Sequence, residues 1–157
     1  MDRHFLRRVV AVLCIGAFAA GYAKTNTSKQ ADRERLIGTW HLVAIDSHTP
    51  DGSPQPPAPT GLMVYTAAGF EAVQLMYPNS ARSLNNEFVH DGYEASYGSF
   101  QIDESKHLLR FHVIAANTRD KLVGTEELRA YSFPDAKHLT VRPADASQHW
   151  SVTWEKD

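Results

Sequence analysis

Leu36-Ile37-Gly38-Thr39-Trp40-His41-Leu42-Val43 decides how the rest of the chain is read. A Gly-x-Trp opens the first extended run, and both alternate sets of that run are largely apolar: Ile37, Thr39, His41, Val43 and Ile45 against Trp40, Leu42 and Ala44. That suits a strand covered at one end by other elements. Everything downstream is short alternating runs and turns, so this segment reads as the entry strand of a small closed sheet.

Upstream lie a basic head (Arg3, Arg7, Arg8), an apolar run from Val9 to Ala20, and small residues at Ala19, Ala20, Gly21 and Ala23. This is the three-part layout of a secretory signal, with cleavage expected after Ala20 or Ala23. The run falls short of the ~20 residues that span a bilayer, which argues against an uncleaved anchor. Leu13 before Cys14 stands where a lipoprotein signal needs a small residue, and Arg7-Arg8 lacks the context of a twin-arginine signal. The expected organisation is a signal peptide over 1–23, a polar linker over 24–35 with a short helical turn near its end, and one β domain over 36–157. A periplasmic or secreted location follows.

Cys14 is the single cysteine, so the mature chain has none. Disulfides, thiolate metal sites and cysteine nucleophiles are excluded together. Removing the signal takes three of the 16 basic and one of the 18 acidic residues, which leaves a net charge of −4. With no basic stripe, nucleic acid is a poor partner, and stable membrane insertion is not expected after signal cleavage.

Ser47 to Pro59 holds five of the eight prolines and can only be a loop. Gly61–Thr66 and Phe70–Met76 flank Ala67-Ala68-Gly69, a hairpin signal. Pro78 to Asp91 carries Ala81, Leu84 and Phe88 at helical spacing with Ser80 as a cap, which predicts one short helix. Strands are then expected over Tyr93–Asp103, His107–Ala115, Leu122–Phe133, Leu139–Arg142 and Trp150–Lys156. Trp150, Val152 and Trp154 share one face of the last, an inward signature. The expected fold is all-β, an eight-stranded antiparallel up-and-down barrel, because closure removes exposed edges. Eight strands leave an interior for side chains or one small ligand.

On these residues the chain resembles the bacterial and fungal lipocalin-like domain family from Leu36 to Lys156. The carrying segments are Leu36 to Val43, Gly61-Leu62-Met63-Val64-Tyr65-Thr66 with Gly69, Gln74-Leu75-Met76, Asp91-Gly92-Tyr93 and Tyr97-Gly98-Ser99-Phe100-Gln101-Ile102-Asp103. Phe111-His112-Val113, Val123 to Arg129 and Val152-Thr153-Trp154 complete the series. The resemblance implies a barrel whose closed end is plugged by the Gly-x-Trp tryptophan with an arginine stacked on it; Arg142 and Arg129 are the candidates. It implies no particular chemistry.

Candidate ligand-binding residues are Tyr65, Gln74, Met76, Tyr97, His112 and Arg129. The first four would line a cavity as scattered polar and soft groups, as small-molecule pockets are built. His112 is either a ligand partner or an outward residue; period two favours outward, since Phe111 and Val113 form the inward set. Arg129 shares a face with Glu127 and Tyr131: inward, it would bind an acidic ligand head or pair with Glu127; outward, it belongs to a solvated face. The seven histidines after residue 40 show no metal-ligand spacing, and no phosphate loop or nucleophile elbow occurs. No metal, cofactor or catalytic residue is assigned.

The leading expectation is an exported barrel that binds a small, largely apolar molecule. The alternatives are a barrel-cavity enzyme of isomerase, cyclase or hydratase type, which needs an inward titratable group, with His112 or the Glu127–Arg129 pair as candidates, and a ligand-free envelope protein with an interior filled by Trp40, Trp150, Trp154 and Phe111.

Overall fold

The computed structural model describes residues 31–47 and 57–157. The signal segment, most of the linker and most of the proline-rich loop lie outside the described residues. A short helix, α1 (Asp32–Leu36), is followed by β1 (Gly38–Ser47), β2 (Thr60–Tyr65), β3 (Phe70–Met76), β4 (Tyr93–Asp103) and β5 (Leu108–Ala116). After a one-turn helix, α2 (Arg119–Leu122), come β6 (Glu126–Ser132), β7 (His138–Pro143) and β8 (Trp150–Lys156). Each strand pairs antiparallel with the next and β8 pairs back to β1, so the sheet closes as an up-and-down barrel.

The first strand shows why both of its faces are apolar. Leu42 pairs with Trp154 and Ala44 with Thr153, so Val43 is an extra residue in a β-bulge. Before the bulge Trp40 and Leu42 turn inward; after it the inward set is Ile45 and Ser47, while Val43 is expelled to solvent. A bulge re-aims side chains in this way by breaking the period-two phase once.

Up-and-down topology gathers alternate strand ends at opposite rims. At one rim lie Gly38, Tyr65, Phe70, Asp103, Leu108, Ser132, His138 and Lys156, and α1 packs across it. Leu36 and Trp40 are fully buried there with Tyr65, Phe100, Leu109, Tyr131 and Leu139. The Trp40 indole N–H donates to the Leu36 carbonyl at 2.8 Å, and the Tyr131 hydroxyl donates to Asp32 Oδ2 at 3.1 Å. The cation over Trp40 is Lys156, with Nζ 5.2 Å from the ring, not Arg142 or Arg129. Lys156 also donates to the Arg35 carbonyl at 2.5 Å. Gly38 is what admits it: φ is +135°, and a Cβ there would lie 2.9 Å from Lys156 Cε. Arg35 in turn stacks on Phe133, its guanidinium carbon 3.9 Å from the ring centre.

The segment after Pro78 forms one 3-10 turn (Asn79–Ala81) rather than the expected helix. Asn86 accepts the backbone N–H of Phe88 and Val89 through its side chain, each at 2.8 Å. Asn85 likewise accepts Asp91 N–H at 3.0 Å. Side chains that bond the backbone locally displace the helix. The resulting knot folds over the open rim.

Candidate functional site

The open rim leads into a cavity of about 480 Å³. Its walls are Ile45, Met63, Val73, Leu75, Val141, Val152, Trp150 and Trp154, and its mouth carries Leu84, Phe88 and Val89 from the knot after Pro78. Trp40 and Phe111 are packed into the core, but Trp150 and Trp154 line the space rather than fill it. The wall is therefore apolar with few interruptions: Ser47, Tyr77, Asn86, Glu87, Glu94 and Arg129.

Arg129 reaches inward from β6, with its side chain 15% exposed. Across the barrel it meets Glu71 of β3, Nη1 to Oε1 3.7 Å, and Glu71 is only 1% exposed. Arg129 Nε and Glu71 Oε1 are both buried without a hydrogen-bond partner among the described residues. Three rings surround the guanidinium, Phe111 at 5.6 Å, Trp150 at 5.8 Å and Phe88 at 5.9 Å. Such a group is costly to leave unpaired in an apolar site.

Glu71 sits behind Arg129, where the Tyr65 hydroxyl hydrogen-bonds it. Burial raises the Glu71 carboxyl, against the opposing pull of Arg129 and of the Tyr65 hydrogen bond. Burial, reinforced by Glu71, likewise holds the Tyr65 hydroxyl well above the phenol range. Gly98, the β4 partner of Glu71, lets β5 approach closely: a Cβ there would collide with the His112 carbonyl and press within 2.9 Å of the Phe111 ring. On the cavity wall, burial pushes Glu94 up to about 7, although Arg129 acts to lower it.

The sequence-predicted residues divide sharply. Arg129 lines the cavity, and Tyr65 lies beneath it next to Glu71. Glu127, the partner considered for Arg129, instead accepts the Thr125 hydroxyl at 3.0 Å. Gln74, Met76, Tyr97 and His112 point away from the interior, Met76 being 53% and Tyr97 47% exposed. In β3 the buried set is Glu71, Val73 and Leu75, so Gln74 and Met76 belong to the opposite phase. Glu71 and Glu94 were missed, yet Glu71 carried a signal: a charge in phase with Val73 and Leu75 on a strand with one apolar face.

Among curated proteins, none matches the chain significantly. Among solved structures the chain is similar to a redesigned beta barrel, with 10% sequence identity, a TM-score of 0.46, and coverage of 81% of this chain and 96% of that one. The model of the lipocalin-like domain family matches residues 37–157, the whole barrel from its entry strand to its last residue, and the chain belongs to that family.

Proposed function

We propose that the protein is exported to the periplasm or the cell exterior and holds a small, largely apolar molecule in the barrel, with an oxygen acceptor of that molecule on Arg129. The observation that carries this reading is the guanidinium at the cavity, ringed by aromatics and left with a buried N–H unbonded. An apolar wall with few convergent polar groups is the usual build of a small-molecule site, and about 480 Å³ lies in the usual range of ~300–1,000 Å³. Export rests on the layout of residues 1–23.

The test is thermal-shift and native-mass screening of the mature chain against lipids, terpenoids, aromatics and haem. A matched trio on one skeleton is included: tetralin, 2-tetralone and tetralin-2-carboxylic acid. The oxygenated members are expected to bind at least ~10-fold tighter than the hydrocarbon, one charge-assisted hydrogen bond being worth about 1.5–3 kcal/mol. That preference disappears in Arg129→Met. A preference that survives Arg129→Met, or no binding across the panel, refutes the reading.

A further inference from the structure

We propose that the cavity catalyses proton transfer on an enolisable ketone, with Glu94 as the general base and acid and Arg129 as the donor that holds the enolate oxygen. The proposal rests on the reading above, that Arg129 receives an oxygen acceptor, and assigns a task to a second side chain on the same wall.

The geometry supplies the parts such a reaction needs. Glu94 and Arg129 line one cavity from β4 and β6, whose wall is otherwise largely apolar. The guanidinium is positioned before any ligand arrives, and its charge is worth more in a dry site than in water. Glu71 lies behind Arg129 rather than on the cavity wall, which leaves Glu94 and Glu87 as the wall's carboxylates among the described residues. Of these, Glu87 is exposed at the mouth, whereas Glu94 is half-buried.

In the forward step the Glu94 carboxylate takes a proton from the carbon beside the ketone. The C–H electron pair becomes the new C=C bond, the carbonyl π pair moves to oxygen, and an Arg129 N–H stabilises the oxyanion. In the return step the Glu94 carboxylic acid gives the proton back, and the oxygen pair re-forms the carbonyl. Return to the same carbon exchanges hydrogen; with a β,γ-unsaturated ketone, return to the γ-carbon shifts the double bond into conjugation. Neither path needs an oxidant, a reductant or a second reactant.

The ionisable groups facing Glu94 are Arg129 on β6, Glu71 on β3, and Tyr77 and Glu87 at the mouth. Burial raises Glu94 to about 7, which places its exchange of protons in the neutral range where a general base works best.

The test uses 2-tetralone with the mature protein in deuterated buffer. Proton NMR follows loss of the α-hydrogens, and thermal shift measures binding in the same samples. Wild-type protein is expected to accelerate exchange above buffer, with a rate that rises through about pH 7. Glu94→Gln is expected to keep binding and lose at least ~100-fold in exchange, the usual contribution of a positioned base. Binding without exchange in the wild type overturns the catalytic proposal and leaves the binding reading intact. So does undiminished exchange in Glu94→Gln. Should that variant fail to fold, a wild-type rate that is flat between pH 5 and 9 overturns the proposal by itself. Absence of 2-tetralone binding, with other members of the panel bound, overturns the catalytic proposal and leaves the binding reading intact; no binding across the panel overturns both.

Discussion

The plugged rim of the barrel and the cavity above it treat buried polar groups in opposite ways. At the rim closed by α1, the indole of Trp40, the hydroxyl of Tyr131 and the ammonium of Lys156 each have a partner within 3.1 Å. At the cavity, Arg129 and Glu71 face each other at 3.7 Å with buried atoms left unbonded. Both regions share one sheet and one continuous core. The difference separates a plug whose polar groups are paired from a cavity whose polar groups are left in part unbonded.

The comparison predicts that damage to the plug is felt as stability, and the largest effect belongs to Trp40→Ala. The side chain is fully buried on Leu36 and tilts against Phe133 at 6.3 Å. Its loss is expected to lower unfolding free energy by about 3–5 kcal/mol, read by urea denaturation. Survivors of the variant should still bind ligand with wild-type preference for the oxygenated probes. Next comes Arg129→Met, which is expected to abolish that preference and to cost about 3 kcal/mol at pH 8, because it leaves the buried Glu71 carboxyl without its charge partner. Adding Glu71→Gln should recover the stability and not the binding. If Arg129→Met alone is neutral at pH 8, the ion pair is not what orders the floor of the cavity.

A third prediction concerns pH. Glu71 and Glu94 are both raised in the folded state by burial, Glu94 from 4.5 to about 7. The folded chain therefore binds more protons than the unfolded one between 4.5 and about 7, so the contribution of Glu94 to stability is present at low pH and fades as pH rises through about 7, with Glu71 acting in the same direction. From pH 5 to pH 8 the loss is expected to be on the order of 2 kcal/mol, by calorimetry, and Glu94→Gln should flatten the slope. Asp103, Asp135 and Asp145 run the other way, because hydrogen bonds lower them. Their effect falls below their ordinary 3.8 and outside this window. The plug offers a smaller counterpart: Tyr131→Phe removes one donor from Asp32, which keeps Arg35 at 3.7 Å and His107 at 3.5 Å. About 1 kcal/mol should be lost, without change in ligand binding.

These contrasts also mark how far the sequence could be read. Strand number, order and the inward set of β5 and β8 were legible because alternation of apolar and polar residues is a local property. The apolar pattern on both faces of β1 was visible, but the bulge at Val43 that explains it depends on pairing with β8. Between Leu122 and Glu126 the strand pattern fails, since Leu122 ends a helical turn that buries it against Phe111 and Val113. For the site, residue type and strand phase point to different residues. Gln74 and Met76 have the polar and soft side chains of a pocket lining, but Val73 and Leu75 mark the buried set of their strand. Arg129 meeting Glu71 could not be read at all, because only closure of the sheet brings β3 and β6 face to face.

The smallest effect is the one that tests the phase argument most cleanly. His112 lies between Phe111 and Val113, both 1% exposed, and its own side chain is directed outward. It pairs with Ser99 on one side and Glu126 on the other, while the Arg110 side chain takes Glu126 at 2.7 Å. A surface position away from caps and buried networks tolerates change within about 0.5 kcal/mol. His112→Ala should therefore leave unfolding free energy, 2-tetralone binding and α-hydrogen exchange at wild-type values. The cavity is separated from this residue by the sheet itself, so a lost preference for oxygenated probes would require the ligand to sit on the outer face of β4 and β5. That outcome would transfer the site from the interior to the surface, and the contrast between a satisfied plug and an unsatisfied cavity would lose its functional meaning.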